Sequence, residues 1–98
     1  MAVKIYKYPV PGRVNAPVRR WLQPHLQDGR MMMMWAELDE DLPEQSWAIV
    51  SVGTGWEMTG EDAEFMRKGV YCGTVIDEPH VWHVYACKMG KGDNVSWS

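Results

Sequence analysis

The run Tyr71-Cys72-Gly73-Thr74-Val75-Ile76 is followed, after Asp77-Glu78-Pro79-His80, by Val81-Trp82-His83-Val84-Tyr85-Ala86, and this stretch decides the fold class. Both runs are rich in β-branched and aromatic residues, and the four residues between them favour turns, so they read as a hairpin. With a four-residue loop, Ile76 faces Val81, Thr74 faces His83 and Cys72 faces Tyr85. Gly73 then lies opposite Val84 and diagonal to Trp82, whose ring is placed to cover the bare glycine. Both faces of the second run are apolar, which favours a closed or two-layered arrangement over a one-sided sheet.

Working outward, Asp28-Gly29 sits between Trp21–Gln27 and Arg30–Glu37 and predicts a second hairpin with a two-residue type I′ turn. That turn pairs Gln27 with Arg30, Leu26 with Met31, Pro24 with Met33 and Leu22 with Trp35. Leu22, Leu26, Met31, Met33 and Trp35 then form the core face, and Trp21, Gln23, His25, Met32, Met34 and Ala36 the mixed face. Val3–Tyr8 alternates in period two and stops at Pro9-Val10-Pro11-Gly12. Pro17 restricts Val14–Arg20 to an edge strand or a bulge. An acidic loop around Asp39-Glu40-Asp41 leads to a strand over Ser46–Val52, closed by Gly53-Thr54-Gly55.

The period then changes. Thr59 is a candidate N-cap, acids follow it, Arg67 and Lys68 close the segment and Gly69 lies beyond, which predicts a short helix over about 60–68. The expected fold is mainly β (a β-rich α+β fold): a small antiparallel barrel or strongly bent sheet of about five or six strands with one short helix. Residues 1–88 form a single domain in this reading, and 89–98, with Trp97, form a flexible tail.

The 98 residues include six Trp and one Phe, so the core is expected to centre on large indoles. The net charge of −3 argues against a dedicated nucleic-acid binder, although Arg13, Arg19, Arg20 and Arg30 allow a local basic patch. No apolar run approaches the roughly 20 residues that span a bilayer, and the charged, alternating N-terminus is not a signal-peptide core. Cys72 and Cys87 alone imply no disulfide scaffold, so a cytoplasmic domain with reduced thiols is expected.

Catalytic and metal chemistry find little support. His80 and His83 are three apart on a strand and point to opposite faces, and no four-ligand zinc pattern accompanies them. His83 reads instead as a packed strand residue with a hydrogen-bonded ring. Register separates Cys72 from Cys87, and His83 lies roughly 13 Å along the strand from Cys87, beyond reach of a thiol–imidazole pair. Val52-Gly53-Thr54-Gly55 lacks the Lys-Ser/Thr ending of a phosphate loop, and the acidic loop lacks calcium-loop spacing. No catalytic residue, metal ligand or cofactor is assigned.

Flexible methionines suit adaptable surfaces, so Trp21, His25, Met32 and Met34 form a candidate interaction face unless a second layer covers them. Arg19, Arg20 and Arg30 are candidate anion contacts.

The series Lys4–Pro9, Leu26-Gln27-Asp28-Gly29, Trp35-Ala36-Glu37-Leu38-Asp39, Val52–Gly55, Tyr71–Val75 and Val81–Tyr85 resembles a family of small uncharacterised proteins of phages and prophages. The resemblance covers about residues 3–86. It departs at a longer connection from Gly55 to Tyr71 and in the segment after Cys87. It implies a compact β-rich fold and a viral origin, and it carries over no functional residue.

The resulting expectation is a non-enzymatic phage accessory protein in the host cytoplasm that binds a host protein or a small signalling molecule. A virion or other homo-oligomeric component is the alternative, and a small hydrolase using His83 the second. A nucleotide-binding version needs a pocket that combines one of the three arginines with stacking aromatics.

Overall fold

A computed structural model describes residues 2–90. The elements follow in the order β1 (Val3–Pro9), β2 (Gly12–Ala16), β3 (Val18–Gln27), β4 (Met31–Asp39), β5 (Gln45–Gly53), α1 (Gly60–Lys68), β6 (Val70–Asp77) and β7 (His80–Lys88). The strands form two antiparallel sheets, ordered β1-β4-β3 and β2-β5-β7-β6. The mainly-β fold with one short helix agrees with the sequence reading. The described strands number seven, and the two sheets do not close into a barrel.

The sheets pack face to face. The first contributes Trp21, Met34, Ala36 and Leu38, and the second contributes Val14, Trp47, Ile49 and Val84 to the same cluster. Trp21 and Trp47 meet edge to face at 5.5 Å across this core. Full burial of Met34 and Ile49 removes side chains worth about 1.5–3 kcal/mol each from water.

A third layer lies on the outer face of the second sheet. Phe65 of α1 packs there on Ala48, Val50 and Cys87, and the Cys87 thiol donates to the Phe65 carbonyl at 3.3 Å. The helix begins after an extended Thr59 that makes no side-chain cap, with Glu61 and Asp62 in its first turn and Arg67 and Lys68 in its last. That charge order suits the helix dipole. At its end Gly69 has no room for a side chain, since a Cβ there would lie 2.8 Å from the Cys87 sulfur.

The β3–β4 hairpin departs from the expected register. Its turn holds Asp28, Gly29 and Arg30, with left-handed backbone at Gly29 (φ 77°) and Arg30 (φ 65°). Gln27 therefore pairs with Met31 rather than Arg30. The slip turns β4 over, because side chains alternate. Met34, Ala36 and Leu38 point into the sandwich, while Met31 and Trp35 are exposed on the other face. A bulge then corrects β3: Trp21 pairs with Ala36 and Pro24 with Met34, so Leu22 and Gln23 together face Trp35 alone. The extra residue returns Trp21 to the core.

In the last hairpin the expected pairs hold from Ile76–Val81 to Gly73–Val84. A bulge at Cys72 then pairs Tyr71, not Cys72, with Tyr85. The expected cover for Gly73 is also replaced. Trp82 stands edge to face with Trp56 at 5.4 Å, and the ring of Pro24 occupies the space over Gly73. This contact closes one side of the sandwich, where β3 approaches β6. Arg30 Nε reaches Asp77 Oδ1 at 3.5 Å at the same side.

Met89, expected to begin the tail, donates its N–H to the Ser46 carbonyl at 2.8 Å and packs beside Cys87. Residues 91–98 of the expected tail, including Trp97, lie outside the described residues. No described helix is long and apolar enough to cross a membrane.

Two glycines sit in backbone that disfavours a side chain, and at one of them a close contact adds to the strain. Gly29 has a left-handed φ but nothing within 4 Å of a Cβ, whereas Gly73 has φ 153° and would place its Cβ 2.8 Å from Pro24 Cδ. We expect Gly29→Ala to cost about 1 kcal/mol. Gly73→Ala should cost about 2–4 kcal/mol, because the proline ring cannot swing away. Urea denaturation of both variants measures the difference, and equal losses would refute the Pro24 contact.

Candidate functional site

The four residues expected to form an interaction face divide. Trp21 (9% exposed) and Met34 (0%) belong to the core between the sheets, and the half-buried Met32 packs against it. The second sheet covers that face, so it offers no apolar docking patch. The reason is the one-residue slip in β4, which exchanges the two faces of the methionine run. His25 alone lies on the outer face of the first sheet, opposite Met33.

The three arginines already have acidic partners. Arg19 Nη1 donates to Glu37 Oε1, and Arg20 donates to Glu37 Oε2 through Nε at 3.3 Å and Nη2 at 3.1 Å. Arg30 is the residue paired with Asp77. Arg20 nevertheless keeps both Nη1 hydrogens, and its side chain is two-thirds exposed (67%).

What the slip and the bulge create together is a recess of about 550 Å³, lined by residues 20–25 of β3 and by Trp35 of β4. Its size lies within the range of small-molecule sites. Trp35 is 39% exposed, and its indole N–H donates to His25 Nδ1 at 2.6 Å with the ring centroids 5.3 Å apart. Because Nδ1 accepts, neutral His25 carries its proton on Nε2, leaving an outward donor. On the other side of β4, Lys7 pairs across from Trp35, and its Nζ donates to Gln27 Oε1 at 2.6 Å. Trp35 is therefore flanked by a guanidinium on one strand and an ammonium on the other.

Sequence reasoning named Arg20 and His25 but counted Trp35 as core. One signal pointed the other way. Trp21 and Pro24 can both face inward only if an extra residue stands between them, and Glu37 also lies in an otherwise apolar run with Arg19 and Arg20 available to it.

The remaining chemistry is quiet. Both ring nitrogens of His83 are engaged by hydroxyls, Nε2 by Thr54 Oγ1 at 2.8 Å and Nδ1 by Thr74 Oγ1 at 3.1 Å. Thr74 bonds on to the Tyr71 hydroxyl, so the chain holds an imidazole between alcohols without a carboxylate. Cys72 and Cys87 are unbridged, and burial pushes both thiols up to about 11, which keeps the nucleophilic thiolate scarce at neutral pH. Gly53 lies beneath Trp56, whose Nε1 would stand 2.6 Å from a Cβ there; the Gly53-Thr54-Gly55 turn seats an indole. Among the described residues no cluster of three or more His, Cys, Asp or Glu is arranged to hold a metal ion.

Hydrogen bonds from Arg20 and then Arg19 hold the Glu37 carboxyl below its ordinary value of 4.5. A carboxyl made more acidic by folding contributes stability that is complete above the unfolded value and is lost as pH falls through the folded one. Glu37→Gln should therefore flatten the acid limb of the stability profile below about pH 4.5. Urea titrations between pH 7 and pH 3 test this, and an unchanged acid limb would show that the pair has no energetic role.

Comparison with curated proteins and with solved structures finds no match. A family model does match, over residues 1–94, nearly the whole chain. The protein belongs to the family described as a domain of unknown function, DUF7352.

Proposed function

We propose that this protein is a non-enzymatic binding protein, a phage accessory factor acting in the host cytoplasm, whose partner is a small molecule held in the β3 recess. The observation that carries this reading is the joint presence there of an exposed indole, an arginine with free N–H groups and an oriented imidazole donor. A small-molecule site typically combines aromatic surface with a few placed polar groups. The recess is built on a bulge, and bulges tend to occur where a strand re-aims side chains beside a functional site. Capture of a host protein through the methionine face loses its basis, because that face is buried.

A second reading has its own observation. β1 is an edge strand with Val3, Ile5 and Tyr6 each about half exposed. Exposed edges of this kind pair between copies. Lys4 and Lys7 on the same strand oppose such pairing by charge repulsion. Light scattering on a size-exclusion peak, with Ile5→Lys as the variant, separates an oligomeric component from a ligand carrier. A wild-type oligomer that dissociates in the variant would favour assembly.

The ligand reading is tested by adding low-mass extract of bacterial cells to ¹⁵N-labelled protein and following the indole N–H signals. We expect the Trp35 signal, assigned with Trp35→Leu, to move while those of Trp47 and Trp82 stay fixed. An unmoved Trp35 signal across extracts of infected and uninfected cells would overturn the proposal.

A further inference from the structure

We infer that the ligand of the β3 recess is a single nucleotide, with its base on Trp35 and its phosphate at Arg20; this rests on the binding reading above. The chain as a whole is acidic, with a net charge of −3. The outer face of the first sheet reverses that sign locally: Lys7 pairs across from Trp35, and Arg19 and Arg20 share the single carboxylate of Glu37, two residues along β4. A small anion is therefore drawn to this face against the overall charge, and screening by salt weakens the attraction.

The donors suit phosphate. No described residue claims the two Arg20 Nη1 hydrogens, while Glu37 fixes the opposite edge of the guanidinium, so the free edge is oriented before any ligand arrives. Arginine is well matched to phosphate oxygens because its N–H groups are planar and directed. His25 adds an Nε2 donor beside the indole, forced into that tautomer by the Trp35 bond. A partly exposed indole such as Trp35 offers stacking surface to a nucleobase of any identity.

The geometry also limits the ligand to one unit. The recess of about 550 Å³ offers one exposed indole. The Leu22–Gln23 bulge bounds it on β3, and the Lys7–Gln27 bond crosses β4 on the other side. No second exposed aromatic continues the platform along β4, where Met33 is buried and Glu37 occupies the next outward position. A strand of nucleic acid would need further stacking surfaces in line.

Calorimetry and indole NMR with adenosine 5′-monophosphate, guanosine 5′-monophosphate, adenosine, inorganic phosphate and an eight-residue oligodeoxyadenylate test the inference. A mononucleotide should bind at least about ten-fold more tightly than the nucleoside, and inorganic phosphate more weakly still. Trp35→Leu and Arg20→Gln should each weaken mononucleotide binding about ten-fold or more, and both positions are exposed enough for the variants to fold. Equal affinity for nucleoside and nucleotide would overturn the role of Arg20, and affinity that climbs with oligonucleotide length would replace the single-unit site by a nucleic-acid track. If no nucleotide binds while cell extract still shifts the Trp35 signal, the nucleotide class falls and the recess stands. If neither acts, both readings fall.

Discussion

The structure depends on one contact, the edge-to-face meeting of Trp21 and Trp47 between the sheets. Each ring buries about 150–250 Å² of surface, equivalent to roughly 4–6 kcal/mol at 25 cal/mol per Å². Both indole N–H groups are buried with no acceptor among the described residues, which costs about 1–3 kcal/mol each where no water reaches them. Burial exceeds even that penalty, so the pair holds the sheets together. Two rings of this size leave little space for their neighbours. The positions that share the cluster include Ala16, Ala36 and Ala86, and Ala36 is the cross-strand partner of Trp21 itself. Small residues on the central strands follow from the large ones beside them.

That requirement explains what reading the sequence achieved and where it stopped. The last hairpin, the helix and the mainly-β class were legible because each rests on local signals: Glu78-Pro79 between β-rich runs, and acids before bases between Thr59 and Gly69. The faces of β4 were not legible in the same way. Met31 to Met34 are four identical side chains in a row, so period-two alternation cannot say which two point inward. The turn decided it, and Asp28-Gly29 suits either a two-residue loop or a three-residue loop that adds Arg30 in a left-handed conformation. The shorter loop without a bulge would also set Trp21 opposite Ala36; only the longer loop combined with the β3 bulge seats Pro24 on Met34 and Trp21 on Ala36 in one core, a tertiary requirement.

The candidate site was half legible for the same reason. Arg20 is legible as part of a basic cluster and His25 as a neighbour of Trp21 on one face, and both line the recess. Trp35 was assigned to the core along with the rest of its face, because the register error carried it there. Residues of the bulge, Leu22 and Gln23, looked like ordinary members of an alternating strand. The fold thus links the two errors: the slip that buries Met34 exposes Trp35, and the bulge that rescues Trp21 opens the space in front of it.

The bulge has a consequence for descent as well as for shape. In a ladder, a change of residue is read by the partner across the strand and by the core beneath. Leu22 and Gln23 share one opposing position between them, so neither has a cross-strand partner of its own, and Gln23 is exposed. Their identity can drift while Trp21 and Pro24 keep their seats on Ala36 and Met34. A lineage built on this sandwich can therefore reshape the recess by altering two side chains, with the fold inherited intact.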